Sequence, residues 1–164
     1  MGRGFTNFQA GNQKKAIEEF SAVISINPNT AEAWNNRGFN RQLQGEFADT
    51  LKDDAEATRL ALGYALAWVN QAWLLSTCRQ ESVRDGGKAV EAARKGCELT
   101  DFQDYNALKA LAAGFAEQGN FEKAIGWQEK AVERSPEIQK TDEEKLLQMY
   151  RDEKPFRVVD ISAE

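Results

Sequence analysis

The stretch Ala31–Phe39, AEAWNNRGF, recurs at a fixed distance, and this recurrence constrains the fold more than any other feature. Arg3-Gly4-Phe5 precedes Arg37-Gly38-Phe39 at an offset of 34. Ala65, Ala67, Trp68 and Asn70 follow Ala31, Ala33, Trp34 and Asn36 at the same offset. A period of this length marks repeated supersecondary units, each burying its apolar face only by stacking on a neighbour. A second set of landmarks extends the pattern. Gly11-Asn12-Gln13-Lys14-Lys15-Ala16-Ile17 is echoed, at an offset of 108, by Gly119-Asn120-Phe121-Glu122-Lys123-Ala124-Ile125, and Pro28 meets Pro136 at that same offset. Two periods of 34 and one of 40 account for that distance, so one repeat carries six extra residues. Five fall around Ser82–Gly87 and the sixth between Leu99 and Leu108.

Composition narrows the function classes. Hydrophobic residues at 41% and charged residues at 29% fit a soluble folded chain. A net charge of −5 with both signs interspersed disfavours a general nucleic-acid or anionic-membrane surface. No run of eighteen apolar residues occurs, and MGRGFTNF lacks the apolar core of a signal peptide. The chain is expected to begin inside a repeat, which leaves room for a leader or further repeats before it. A cytoplasmic setting is favoured, with a periplasmic one left open for that reason.

Chemistry is poorly provided for. Histidine is absent, which removes the commonest general base and transition-metal ligand. Cys78 and Cys97 are too few and too far apart for a zinc site and read as free, buried, small apolar residues of one hairpin, with a disulfide between them the alternative in an oxidising compartment. No GxGxxG, GxxxxGK[ST] or GxSxG motif is present. The carboxylate runs Glu18-Glu19, Asp53-Asp54 and Asp142-Glu143-Glu144 read as solvated helix surface, since adjacent helical residues do not face each other. No catalysis, metal or cofactor is expected.

The landmarks resemble the tetratricopeptide repeat, a pair of antiparallel helices recurring every ~34 residues. The resemblance runs roughly over residues 3–137. Trp34, Gly38, Gly45, Phe47 and Ala57 carry the signature in the second repeat, and Trp68, Ala72, Ala89 and Val90 in the third. Leu108, Leu111, Ala112, Phe115, Gly119, Phe121, Ala124, Ala131 and Pro136 carry it in the fourth. The first has Gly4, Gly11, Ala16, Phe20 and Pro28. Small residues at Gly4, Gly38, Ala72 and Ala112, answered by Ala16, Ala89 and Ala124, are expected where paired helices cross. Gly11, Gly45 and Gly119 are expected to end first helices in the left-handed conformation.

Departures from the pattern concentrate in the N-terminal half. Thr50 and Asp54 replace an alanine and an aromatic residue, Leu62 replaces proline, and Asn7 and Arg41 stand where an aromatic residue anchors the first helix. The helix LKDDAEATRLAL is therefore expected to pack poorly. The third repeat resembles a bacterial subtype with an Arg-Asp-Gly insertion, in which such arrays are appended to larger proteins. Ser82–Gly87 is expected to be a surface excursion that leaves the stacking intact, with Asp85 capping a helix.

The resemblance implies an all-α fold, a right-handed superhelical α-solenoid of about four antiparallel hairpins plus a C-terminal capping helix. Helices are expected near 3–10, 14–26, 31–44, 47–61, 65–78, 87–99, 105–118, 121–134 and 142–153. The array should occupy 1–137, in repeats near 1–30, 31–64, 65–104 and 105–137. A capping helix over 138–154 follows, opened by Thr141 or Asp142, and then an extended or disordered tail over 155–164.

The resemblance further implies a non-catalytic scaffold that binds a peptide or protein partner in a concave groove lined by the first helices. The family's groove positions fall on Phe5, Asn35, Asn36, Phe39, Gln42, Asn70, Trp73, Asn106 and Lys109, with Gln9, Val69 and Ser76 alongside. Phe5, Phe39 and Trp73, spaced by 34, would form a ladder of rings that either lines the groove or fills space between first helices. Only Asn36 and Asn70 fit the carboxylate clamp of one known subclass, whose cations are missing here, so that mode of binding is rejected. The alternative is a structural spacer or a self-associating module of a larger bacterial protein, with homo-oligomers formed through exposed repeat ends. Neither nucleic acid nor membrane is expected as a partner.

Overall fold

The computed structural model describes residues 10–158. Its order is α1 (Ala10–Ile26), α2 (Ala31–Leu43), α3 (Phe47–Leu60), α4 (Ala65–Thr77), a 3-10 turn (Glu81–Val83), α5 (Gly86–Leu99), α6 (Tyr105–Glu117), α7 (Phe121–Arg134) and α8 (Glu137–Arg151). No strand occurs among the described residues, and the fold is an α-solenoid of helical hairpins. The helix expected at 3–10 lies outside the described residues except for Ala10, which belongs to α1. Gly11 likewise does not end a helix, because α1 runs through it. The chain divides into two compact units, Met1–Gly63 and Tyr64–Glu164.

In the first unit α2 packs against both α1 and α3. Gly38 sets the closeness of α2 to α3: a methyl group there would stand 3.0 Å from Asp54 Oδ1 and 3.2 Å from Asp53 Cβ. Gly45, at φ 78°, reverses the chain between the two helices. The amides of Gly45 and Glu46 donate back to the carbonyls of Gln42 and Arg41, a paired C-cap that needs a left-handed residue.

The carboxylates on α3 overturn the expectation of a solvated surface. Asp53 and Asp54 are each 1% exposed. Asp53 accepts a bidentate pair of bonds from Arg37, at 2.9 and 2.7 Å, and a third from Arg41 at 2.8 Å. Arg37 also donates to Ser21 on α1 at 3.2 Å and lies over the Trp34 ring. Thr50 is buried and donates to the carbonyls of Glu46 and Gly38. The helix expected to pack poorly is packed by polar groups instead. Where the repeat pattern has an aromatic residue at 41, this hairpin places a guanidinium that pairs with Asp53. Glu18, Glu19, Asp142 and Glu144 do lie at the surface.

The second unit carries an apolar core. Ala72, Ala89, Ala93, Ala107, Ala110, Ala112, Ala124 and Ala131 are wholly buried and let α4 to α7 pack side by side, with Leu108, Leu111 and Phe115 filling between them. Cys78 and Cys97 are free and buried, and desolvation pushes the Cys97 thiol up to about 12 and raises that of Cys78. α8 closes the unit with Leu146, Leu147 and Tyr150 buried. It starts at Glu137 rather than at Thr141 or Asp142, because Pro136 takes the entry position and its carbonyl already accepts from Gln139.

The insertion is not a detachable excursion. Val83 is buried. Arg84 donates to Glu117 Oε1 on α6 at 2.9 Å and to the carbonyl of Cys78 at 2.9 Å. The Asp85 amide donates to the Leu75 carbonyl, and the Asp85 carboxylate caps α5 by accepting from the Lys88 amide at 3.0 Å. Gly86 abuts the end of α6 so closely that a methyl group would lie 2.8 Å from Gln118 Cγ and 3.1 Å from its backbone nitrogen. Each residue of the Arg-Asp-Gly triplet therefore has its own structural task.

Two outcomes are expected. Desolvation, and secondarily the charge of Asp53, raises the Asp54 carboxyl to about 8. The folded chain then holds a proton that the unfolded chain releases above about pH 4, so this group's support is full below that point and is lost as pH rises towards 8. Asp54→Asn should flatten that decline and gain about 1–3 kcal/mol at pH 8. Urea titrations of both chains from pH 4 to 9 check this, and parallel pH profiles would contradict it. Deleting Ser82–Gly86 should lower stability by about 3–5 kcal/mol through loss of the Arg84 ion pair and the Asp85 cap. Thermal melts followed by circular dichroism test that, an unchanged midpoint being the contrary result.

Candidate partner-binding surface

The expected groove residues fall on α2, α4 and α6, the first helices of their hairpins. On α2, Asn35 is inside the unit at 2% exposure, and its amide reaches Asn36 Oδ1 at 3.4 Å. The Asn36 carbonyl accepts from the Asn40 side chain at 2.8 Å. Phe39 is 44% exposed and Leu43, one turn further, 43%. Asn36 and Gln42 are half-buried. α2 thus presents an exposed ring and a leucine flanked by amide groups. Rings supply contact area and amides can bond an extended backbone, a division of labour common at binding surfaces. Phe5 and Gln9 lie outside the described residues.

In the second unit the positions are more deeply engaged. Asn70 and Trp73 on α4 and Asn106 and Lys109 on α6 are half-buried, while Val69 and Ser76 are buried. α4 and α6 lie against each other and bring Trp73 and Lys109 together. The Lys109 ammonium stands 5.3 Å from the Trp73 ring and 5.5 Å from the Tyr105 ring. It also pairs at 2.9 Å with Glu143 on α8, which is only 4% exposed. Gln128 on α7 donates to the other Glu143 oxygen at 2.9 Å, so this carboxylate ties three helices together. Glu143 was expected at the surface, and the unit buries it because Lys109 and Gln128 satisfy it there. Tyr105 and Gln139 join α6 to α8 by a further side-chain hydrogen bond.

A third layer covers Trp73. At the end of α8, Glu153 adopts a left-handed conformation, φ 55°, and the amides of Glu153 and Lys154 donate back to Tyr150 and Met149. This C-cap turns the chain so that residues 155–158 run, half-buried, across α4 and α6. The Phe156 ring lies 5.7 Å from that of Trp73, tilted by 35°. Arg157 pairs with Glu117 Oε2 at 2.6 Å and donates to the Ser76 carbonyl at 3.3 Å. The Val158 amide donates to the Thr77 carbonyl at 3.0 Å. Of the tail expected to be extended or disordered over 155–164, residues 155–158 are seated on this unit and the rest lie outside the described residues. The seated residues meet needs that the last turn of a helix always has, since its carbonyls lack helical partners and attract positive charge.

The ladder of three rings divides on these facts. Phe39 is an exposed ring on the first unit, Trp73 is a packed ring in the second, and Phe5 is outside the described residues. Sequence reasoning missed Glu117, Glu143, Phe156 and Arg157. The pairs Lys109–Glu143 and Tyr105–Gln139 are both one repeat length apart, so the period itself could have flagged them. Among the described residues, no group of three or more acidic, cysteine or histidine side chains is placed to hold a metal ion. Nor is any helix among them long and apolar enough to cross a membrane.

Phe39→Ala should lower stability by under about 1 kcal/mol, as at exposed sites. Trp73→Ala should cost about 2–4 kcal/mol, since it empties a site packed by Phe156 and Lys109. Equilibrium denaturation of both variants checks the split, which equal losses would refute.

Comparison with known proteins agrees with this architecture. A family model for the tetratricopeptide repeat matches residues 6–45. The chain is similar to tetratricopeptide repeat protein 36 of Mus musculus, 39% identical over 101 residues, or 62% of this chain and 49% of that protein. For the Bos taurus protein of the same name the identity is 40% over 108 residues, 66% and 50% of the two chains. The chain spans about half the length of these curated relatives. Its fold is similar to that of MamA in two crystal structures, with TM-scores of 0.64 and 0.66 at 21% and 20% identity. The matches cover 80% and 87% of this chain and 68% and 82% of those chains, and at such identity the likeness is one of fold. The match to the repeat model covers residues 6–45, and the chain is similar to tetratricopeptide repeat proteins, whose repeats generally serve protein–protein interaction.

Proposed function

We propose that this chain is a non-catalytic scaffold that holds a peptide or protein partner on the faces its first helices present in each unit. The observation that carries the reading is on α2. Phe39 and Leu43 stay exposed one turn apart, beside the half-buried amides of Asn36 and Gln42, on a helix whose other faces are committed to α1 and α3. Asn70, Trp73, Asn106 and Lys109 form the corresponding face of the second unit, and Asn35 supports the first from beneath. A partner is recognised by aromatic and amide contacts rather than by a carboxylate clamp. The Arg84-Asp85-Gly86 insertion supports assignment of the third hairpin to the bacterial subtype that is appended to larger proteins.

The test is affinity capture from a lysate of the source cells with the intact chain as bait, followed by mass spectrometry. Phe39→Ala should reduce capture of the specific partner about tenfold or more, as loss of an aromatic anchor does, while the melting temperature barely moves. Capture that is indifferent to Phe39→Ala and Asn36→Ala together would exclude this face.

A further inference from the structure

The segment Pro155–Val158 behaves as a ligand would. It has no helical structure, and beyond the end of α8 it contacts α4 and α6. It uses one ring, one guanidinium and one backbone amide, at Phe156, Arg157 and Val158. The receiving face supplies matching groups: the Trp73 ring, the Glu117 carboxylate and the terminal carbonyls of α4 at Ser76 and Thr77. Glu117 is held in place by Arg84 from the insertion, which engages its other oxygen at 2.9 Å. The face is thus organised by residues outside the segment that occupies it. Two hydrogen bonds run to backbone carbonyls and one ion pair to a fixed carboxylate, so recognition asks only for an aromatic residue followed by arginine.

We propose that this face is a docking site for a segment of a partner protein carrying an aromatic residue followed by arginine, with Phe156-Arg157 as the resident competitor. The proposal rests on the reading that the first helices hold a partner, and it names the chemistry of that partner at the second unit. The tethered segment scales the apparent affinity by the fraction of time the face is free, so its removal raises affinity by the inverse of that fraction.

The probe is a fluorescein-labelled peptide of this chain's own residues 154–158, KPFRV, titrated by anisotropy into the intact chain and into the double variant Phe156→Ala/Arg157→Ala. The double variant should bind at least about tenfold more tightly than the unaltered chain. Adding Glu117→Gln should then abolish the gain. Equal or undetectable binding to both chains overturns the proposal. So does a peptide-insensitive dimer seen by light scattering, which would mean that a second copy's tail is the occupant.

Should the double variant unfold, amide exchange in the unaltered chain decides the matter. Millimolar peptide should speed exchange at the Val158 amide, and an unchanged rate is the contrary result. Failure here leaves Phe39-dependent capture standing, because that test reads the other unit. Loss of Phe39 dependence with peptide binding intact would sink the first-unit reading alone.

Discussion

Two helices can approach no closer than their facing side chains permit, and that limit governs both units. In the second unit it is met almost entirely by alanine. Ala72, Ala89, Ala112 and Ala124 are wholly buried at the helix crossings. At Gly114 even a methyl group would stand 3.0 Å from Val90 Cγ2. Close backbones leave the larger residues to seal the flanks, and Leu74, Leu108, Leu111 and Tyr150 do so. Within this unit α4 and α6 can then lie beside one another.

The first unit meets the same limit with different chemistry. Gly38 brings α2 close to α3, but what it approaches is a pair of carboxylates. Arg37 and Arg41 neutralise Asp53, whereas Asp54 has one oxygen with no hydrogen-bond partner. A buried ion pair adds little over a well-packed apolar substitute, yet loss of one member is severe. The hairpin is therefore bound to its own combination of residues. Restoring the family's aromatic residue at 41 alone would take away one of the two guanidinium partners of Asp53.

Much of this was legible from residue spacing. Left-handed Gly45 and Gly119, the buried small residues at the crossings and the apolar face of α8 all follow from the repeat period and helical geometry. Asp53 was not, because the rule that sequence neighbours diverge on a helix says nothing about burial. Its partners lie 12 and 16 residues away on another helix. Arg41 and Asp54 each look like a flaw when weighed singly, whereas Arg41 and the Asp53–Asp54 pair make one polar interface. The docking of the tail was not legible, because Pro155 ends helical periodicity and a four-residue stretch has no period by which its seat could be recognised.

The seated tail also sets an order of events. Arg157 and Ser76 are 81 residues apart, whereas each hairpin joins residues close in sequence. Closing so long a loop is entropically unfavourable, and it gains only a few contacts in return. The hairpins of the second unit can form and stack before residues 155–158 find their place. Opening runs in reverse, with the strap released at a smaller free energy than the alanine-packed helices beneath it. The last segment to arrive is thus the first to leave, and its departure uncovers Trp73 and the end of α4 while the rest of the unit remains folded.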